Sequence, residues 1–184
     1  EMNRLAGEMG LKDTHFCNCT GLHDERHYTT ASDIASMLAF AISDARCAEI
    51  MSAVKYTAAV TAQHEHGMIF RSTLFSRMSG QELSEERGIP LTVIGGKTGF
   101  TDEAGQCLAT WAEDAAGEQY ICVVLGCDPK SPRDAVCDTL TLYQLAAKPY
   151  GEIERYLLPG MEETATTAAG TETTGTTLVT DVTS

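Results

Sequence analysis

The apolar residues in the first part of the chain recur at helical spacing. Residues 2–9 place theirs on one side, and Gly10 follows where a left-handed helix terminator is expected. Thr30, with Asp33 three positions later, resembles an N-cap, and apolar residues at helical spacing follow it. A further such run begins near Ala45. The pattern therefore predicts three helices in this part of the chain.

Further along, the pattern favours strands. Residues 56–61 are rich in aromatic, β-branched and threonine residues, which is typical of a strand. Residues 67–88 are polar and irregular, so we predict mostly surface loop there. An apolar segment at 91–94 then leads into a strand, and 106–112 and 119–127 are typical of two more. The short turn between the last two predicts an antiparallel hairpin.

A final helix is predicted after the hairpin. The segment 131–134 resembles a helix start, and the face expected to cover the sheet consists of Ala135, Leu142, Leu145 and Ala146. Residues 153–158 could begin another strand. From residue 161 onward the chain has almost no large apolar side chain, so it cannot offset an ordering entropy of roughly 1–2 kcal/mol per residue.

This pattern predicts one folded unit and a tail. Residues 1–148 form the expected domain, 149–160 a linker or the start of a C-terminal segment, and 161–184 a disordered threonine-rich tail. Helices are expected to cover an antiparallel sheet, which is an α+β fold.

Composition narrows the class of protein. With 43% hydrophobic and 21% charged residues the chain resembles a globular protein, and its longest strongly apolar run, 121–125, is too short to span a membrane. The net charge of −13 argues against a nucleic-acid partner, because phosphates would be repelled. The seven cysteines are odd in number and irregularly spaced, so we expect mostly buried small hydrophobic residues rather than a disulfide framework.

The segment with the strongest chemical signal is Lys97-Thr98-Gly99, which follows two glycines. Lys97 offers a positive charge where a carboxylate could dock, and the hydroxyl of Thr98 could donate to the same group. Gly99 has no side chain, so a ligand backbone could lie close to the strand. The alternative is an ordinary exposed turn, because a tripeptide alone is a weak motif.

Other segments occur in an order that resembles one enzyme family. They are residues 2–6, 9–16, 21–22, 27–35, 96–101 and 104–105, together with the strand and helix that follow. Over roughly residues 2–147 the chain resembles the serine-type D-alanyl-D-alanine carboxypeptidases, which are penicillin-binding proteins of low molecular mass. The resemblance implies part of a β-lactamase/transpeptidase-like fold, lacking its N-terminal portion.

The same resemblance implies an activity and a site. Family members remove the terminal D-alanine from peptidoglycan pentapeptides through an acyl-enzyme, bind β-lactams, use no cofactor and act outside the cytoplasm. The catalytic residues implied within this chain are Lys97, Thr98, Gly99 and Phe100. Lys97 and Thr98 would also bind the substrate, with Arg71 as a second basic residue near its carboxylate. The backbone N–H of Phe100 would be one oxyanion-hole donor. For Arg71, a solvated surface arginine is an equally good interpretation.

The family's nucleophile and base come from a Ser-x-x-Lys helix start and a Ser-x-Asn loop, which we expect upstream of this chain. Ser52 and Lys55 match the first motif literally, but Ser52 ends a predicted helix rather than starting one. Neither Asn3 nor Asn18, the two asparagines of the sequence, has a serine two residues before it. The chain alone is therefore expected to be inactive. The alternative function is a truncated or degenerate wall-binding homologue without catalysis.

Two histidine-containing segments raise the alternative of a metal site. His15, Cys17, Cys19, His23 and His27 are possible zinc ligands within one loop, but their spacing matches no standard zinc finger. A second segment, residues 64–66, has a His-x-His pair without a third ligand. We therefore predict no metal site, and we interpret Asp33 as a helix-start residue rather than a catalytic acid.

Overall fold

The computed structural model describes residues 1–79, 91–130 and 134–146, together with the backbone of residues 176–180. Its elements, in chain order, are α1 (Met2–Glu8), α2 (Ala31–Ile42), α3 (Ala45–Ser52), β1 (Lys55–Ala58), β2 (Met68–Arg71), α4 (Thr73–Met78), β3 (Leu91–Thr101), β4 (Gly105–Asp114), β5 (Gln119–Cys127), α5 (Ala135–Ala146) and β6 (Thr176–Thr180).

The three helices predicted near the start of the chain are present. Thr30 caps α2 by accepting a hydrogen bond from the backbone N–H of Asp33, as the N-cap pattern predicts. The side chain of Asp44 caps α3 in the same way, accepting from two backbone N–H groups. Both helices therefore begin where a side-chain acceptor satisfies donors that the helix leaves unpaired.

A four-stranded antiparallel sheet in the order β3-β4-β5-β6 forms the centre of the fold. A separate two-stranded sheet pairs β1 with β2, also antiparallel. Strands β4 and β5 are joined by the short turn that the sequence predicts, and Asp114 accepts hydrogen bonds from the N–H groups of Ala116 and Glu118 across it.

Helices cover both faces of the sheet. One core contains side chains of α4, α5 and the strands: Leu74, Met78, Leu91, Val93, Leu108, Ala112, Cys122, Val124, Ala135, Val136, Leu140 and Tyr143. The other lies under α2: Ala31, Ala35, Leu38, Trp111, Ile121 and Val123. Because β4 and β5 are buried on both faces, the run at 121–124 is continuously apolar rather than alternating.

The structure corrects the predicted loop at 67–88. Residues 68–71 form β2 and residues 73–78 form α4, and the part of that segment beyond residue 79 lies outside the described residues. These elements have four and six residues, too few for a periodic pattern to separate them from a loop. Ser72 accepts a hydrogen bond from the N–H of Phe75, which is the local signal for the start of α4.

Two further predictions need correction. The buried face of α5 consists of Ala135, Val136, Thr139, Leu140 and Tyr143, whereas Leu142 and Leu145 are only partly buried. The sequence pattern missed this face because one of its residues, Thr139, is polar. Thr139 can be buried because its hydroxyl donates a hydrogen bond to the carbonyl oxygen of Ala135 within the helix. Of the seven cysteines only Cys122 is buried, and two are exposed.

The predicted disordered tail contains a strand, since 176–180 pair with β5 from Tyr120↔Thr180 to Val124↔Thr176. Pairing with an existing strand supplies backbone hydrogen bonds that the tail's composition does not indicate. The strand suggested at 153–158 lies outside the described residues. None of the described helices has the length and apolar character that crossing a membrane requires.

Candidate active site

Strand β3 carries the Lys97-Thr98-Gly99 triplet in its second half. It is an outer strand of the described sheet, with β4 as its paired neighbour. The register between the two strands shifts between Val93 and Gly95, just before the triplet. Such an irregularity bends a strand and redirects its side chains, and it is common beside functional sites.

The two glycines before the triplet are required by packing. A Cβ atom on Gly95 would lie 2.3 Å from the ring of Trp111, and one on Gly96 would lie 2.3 Å from the carbonyl oxygen of Ala109. The nearest heavy atom to a Cβ atom on Gly99 would be 3.6 Å away, which is an ordinary contact. The need for glycine at the first two positions therefore comes from the fold, whereas a Cβ atom on Gly99 would make only an ordinary contact.

A cavity of about 810 Å³ opens beside the triplet. It is bounded by α3, the β1–β2 hairpin, the start of α4 and β3. Its lining residues are Arg46, Glu49, Ile50, Met51, Ala53, Tyr56, Phe70, Arg71, Ser72, Thr73, Gly96 and Lys97. The cavity thus combines an apolar wall with three cationic side chains and one carboxylate, that of Glu49, which suits a ligand with an apolar part and an anionic group.

Two of the predicted site residues line this cavity. Lys97 reaches it from β3 and is exposed, and its ammonium donates a hydrogen bond to the carbonyl oxygen of Thr98. Arg71 reaches it as the last residue of β2, opposite Lys55 in the hairpin. They are separated by 26 positions in sequence (97 − 71), and the folding of β2 back along β1 brings Arg71 to this side.

The other predicted residues lie at the margin of the cavity. Thr98 is half-buried, and its Oγ1 lies 2.6 Å from Oγ1 of Thr73, which lines the cavity. Gly99 and Phe100 continue along β3 outside the lining, and the side chain of Phe100 is 52% exposed. Thr73 is a site residue that the sequence pattern missed, since its segment was assigned to loop.

The turn after the triplet is linked to the loop that precedes α2. Nδ1 of His23 lies 3.9 Å from a carboxylate oxygen of Glu103. A hydrogen bond from its own backbone N–H lowers the pKa of Glu103, and the hydroxyl of Thr101 and the His23 side chain lower it further. Glu103 is therefore kept anionic beside β3, opposite in sign to Lys97.

The literal Ser-x-x-Lys match does not form a catalytic pair on one helix. Ser52 is the last residue of α3, and its hydroxyl donates to the carbonyl oxygen of Glu49 at 3.2 Å. Lys55 begins β1 and is exposed. The two side chains therefore lie on different elements, and the helical i, i+3 arrangement that the motif requires is absent from this segment.

The loop with the possible zinc ligands is held by its own hydrogen bonds. Nδ1 of His15 donates to the carbonyl oxygen of Arg26 at 2.7 Å, and Nδ1 of His27 accepts from the N–H of Cys17 at 3.4 Å. Partial burial and neighbouring Asp24 raise the pKa of the Cys17 thiol, which disfavours the thiolate that zinc binds. Within the described residues, no three His, Cys, Asp or Glu side chains come close enough together to hold a metal ion.

A second cavity, of about 690 Å³, lies between α1 and α2. Its walls are mainly apolar, and none of the predicted site residues reaches it. Its lining residues are Met2, Leu5, Ala6, Met9, Phe16, Met37, Phe40, Ala41, Ser43, Asp44 and Cys47. The charged groups suited to an anionic ligand are therefore in the cavity beside β3.

Comparison with known proteins places this geometry in context. The D-alanyl-D-alanine carboxypeptidase family model matches residues 1–129. Bacillus subtilis D-alanyl-D-alanine carboxypeptidase DacF is 29% identical over 135 residues, which cover 73% of this chain and 31% of DacF.

Solved structures show the same fold. The DD-transpeptidase of a Streptomyces strain is 27% identical, with a TM-score of 0.61 over 79% of this chain and 52% of that protein. A Mycobacterium tuberculosis D-alanyl-D-alanine carboxypeptidase is 19% identical, with a TM-score of 0.60 over 81% of this chain and 53% of that protein. The chain therefore spans about half the length of these structures and about a third of DacF.

Proposed function

Because this chain belongs to the D-alanyl-D-alanine carboxypeptidase family, we propose that it forms the carboxylate-recognising side of a serine-type carboxypeptidase site. Lys97 and Arg71 supply positive charge, and Thr98 supplies a hydroxyl donor. The substrate is a peptidoglycan stem peptide ending in D-alanyl-D-alanine, and β-lactams bind as its analogues. The observation that carries the proposal is the shared cavity, which holds the Lys97 and Arg71 side chains beside the triplet.

The reaction proposed for the whole protein is acyl transfer to a serine, release of the terminal D-alanine, and hydrolysis of the acyl-enzyme. The backbone N–H of Phe100 stabilises the developing oxyanion, since one such donor typically contributes about 2.7–4 kcal/mol. The nucleophile and its base come from residues outside this sequence. In support, the sequence contains no Ser-x-Asn motif, and the hydroxyl of Ser52 is bonded within α3.

Substrate recognition can be tested by NMR titration of the 184-residue chain with acetyl-D-alanyl-D-alanine. We expect shifts at the amides of β3 around Lys97, and weaker binding of the same dipeptide with an amidated C-terminus. Lys97→Ala should weaken binding about tenfold or more, because a hydrogen bond to a charged group is worth about 1.5–3 kcal/mol. Lys130→Ala, at another exposed lysine, is the matched control and should leave binding unchanged. Equal affinity for the acid and the amide would contradict the proposal.

The proposed source of the nucleophile has its own test. Incubation of this chain with a fluorescent penicillin should give no covalent adduct, whereas an adduct mapped to Ser52 would contradict the assignment. Sequencing the region that encodes the residues before Glu1 then separates the two candidate functions. A Ser-x-x-Lys and a Ser-x-Asn there would support the carboxypeptidase, and their absence would support the non-catalytic wall-binding homologue.

Location follows from the substrate. A carboxypeptidase of this kind meets peptidoglycan outside the cytoplasm, so we propose an extracytoplasmic protein. Fractionation of the producing cells with an antibody against this chain should detect it in the envelope or the medium. Detection in the cytoplasm alone would contradict this location.

A further inference from the structure

A side-chain hydrogen bond joins the triplet to α4. Oγ1 of Thr73 lies 2.6 Å from Oγ1 of Thr98, a short hydroxyl–hydroxyl hydrogen bond between residues 25 positions apart. We infer that Thr73 is a positioning residue that fixes the rotamer and the proton direction of Thr98. The inference rests on the proposed function, because Thr98 is there assigned to donate to the carboxylate of the substrate.

The position of Thr73 is set by the elements on both sides of it. The N–H of Ser72 donates to the carbonyl oxygen of Val54 at 3.0 Å, which holds the start of α4 against the residue before β1. After Thr73, the side chains of Leu74 and Met78 are 1% and 4% exposed in the core. Thr73 is itself exposed, yet its backbone is held between these two anchors. Its hydroxyl is therefore presented to Thr98 from a fixed point.

The proton count gives this contact a function. Each hydroxyl has one proton, so one threonine of the pair donates and the other accepts. If Thr98 donates to Thr73, it has no proton for a ligand. If Thr73 donates to Thr98, the proton of Thr98 remains available, and a carboxylate can only accept. A bound carboxylate beside Lys97 thus favours the direction Thr73 to Thr98 to carboxylate.

Hydrogen bonds in such a chain strengthen one another, since each donor is polarised by the bond that it accepts. Thr73 therefore contributes to carboxylate binding without touching the ligand carboxylate. A valine at this position keeps the shape of the side chain but replaces the hydroxyl with a methyl group. Because a methyl group cannot approach an oxygen to 2.6 Å as a hydroxyl does, Thr98 would lose both its partner and its preferred rotamer.

The test compares Thr73→Val with Thr73→Ser, which keeps the hydroxyl. Three-bond coupling constants report the χ1 rotamer of Thr98 in the ligand-free 184-residue chain, and titration with acetyl-D-alanyl-D-alanine reports affinity. We expect one Thr98 rotamer in the wild type and in Thr73→Ser, and rotamer averaging in Thr73→Val. Affinity should fall about three- to tenfold in Thr73→Val and change less than about twofold in Thr73→Ser, as loss of one hydrogen bond implies.

Two further variants complete the design. Thr92→Val makes the same replacement at an exposed threonine of β3 that pairs with Glu113, and it should change neither readout. Thr73→Ala is a second hydroxyl-free variant, so misfolding of one replacement leaves the other to decide. An unchanged Thr98 rotamer in both hydroxyl-free variants would overturn the inference. If the wild type fails to bind the dipeptide, the proposed function fails, while the rotamer comparison still decides whether Thr73 positions Thr98.

Discussion

Strands β4 and β5 bury the large apolar side chains that they share, whereas β1 and β2 expose theirs although they are also paired antiparallel. In the sheet, Trp111 and Ile121 face each other at 3% and 1% exposure. In the hairpin, Tyr56 and Phe70 face each other at 63% and 52% exposure. The two pairs have similar chemistry, so the difference lies in what covers them.

The sheet is covered on both faces by helices, and each fully buried large apolar side chain stabilises it by roughly 1.5–3 kcal/mol. The hairpin has two strands of four residues, and an isolated hairpin of this kind is marginally stable. Its position is set by α3 before it and α4 after it. The comparison indicates that stability resides in the sheet, while the exposed apolar side chains of the hairpin and α3 line the cavity around Arg71 and Lys97.

The largest effect that would test this comparison is expected from a core truncation. Leu108 is 1% exposed in β4, and Leu108→Ala should lower the free energy of unfolding by about 2–5 kcal/mol, since it leaves a cavity. Ile50 is 74% exposed on α3, and Ile50→Ala should change it by less than about 0.5 kcal/mol. Urea unfolding of both variants measures the difference, and similar losses would mean that the cavity side also carries stability.

Two glycine substitutions in β3 should separate an effect on stability from an effect on ligand binding. Gly96→Ala would place a methyl group 2.3 Å from the carbonyl oxygen of Ala109, so we expect a loss of about 1–3 kcal/mol in stability. Gly99→Ala meets its nearest atom at 3.6 Å and should change stability by less than about 0.5 kcal/mol. It should nevertheless weaken binding of acetyl-D-alanyl-D-alanine, because the added methyl group occupies the surface proposed for the ligand backbone. Equal stability losses in the two variants would contradict the distinction.

A smaller effect is expected at a buried polar pair in the sheet. The hydroxyl of Tyr143 lies 2.8 Å from Oγ1 of Thr110, and both residues are fully buried. Tyr143→Phe should lower the free energy of unfolding by about 1 kcal/mol, because Thr110 loses this partner. Tyr56→Phe, at an exposed tyrosine of the hairpin, should have no measurable effect in the same urea unfolding experiment. A neutral Tyr143→Phe variant would show that the pair does not stabilise the core.

Long elements with local signals could be predicted from the sequence, whereas short elements and distant pairings could not. Helix α2 is long enough for its apolar pattern to repeat, β5 contains a continuous apolar run, and the cap at Thr30 is a local signal. Helix α4 has six residues, and β6 exists through its pairing with β5, a distant partner that no local pattern reveals. The buried Leu74 and Met78, four positions apart after Ser72, were the available signal for α4.

The candidate site likewise contains residues that the sequence motif identifies and residues that only the fold identifies. Lys97, Thr98 and Gly99 are adjacent in sequence, so their motif could be recognised without the fold. Thr73 becomes a site residue only when α4 packs beside β3, and that contact joins positions 25 apart. The requirement for glycine at position 96 depends likewise on the carbonyl oxygen of Ala109 on the neighbouring strand.

The smallest effect expected is a pH dependence of the β4–β5 turn, which the β1–β2 turn should lack. In the β4–β5 turn, the N–H groups of Glu118 and Ala116 donate to Asp114 at 2.9 and 2.8 Å, and they lower the pKa of this carboxyl below its ordinary value of 3.8. In the β1–β2 turn, the N–H of His64 donates to the hydroxyl of Thr61 at 3.1 Å, and a hydroxyl does not titrate in this range.

Since the pKa of Asp114 is lower in the folded state, its contribution to stability is fully present above the unfolded value and is lost as the pH falls through the folded value. NMR titration should show the amide protons of Ala116 and Glu118 moving together with a midpoint below 3.8. Asp114→Asn should remove that transition. A midpoint at or above the ordinary value would mean that the turn does not hold the carboxylate form, and the two turns would then be equivalent.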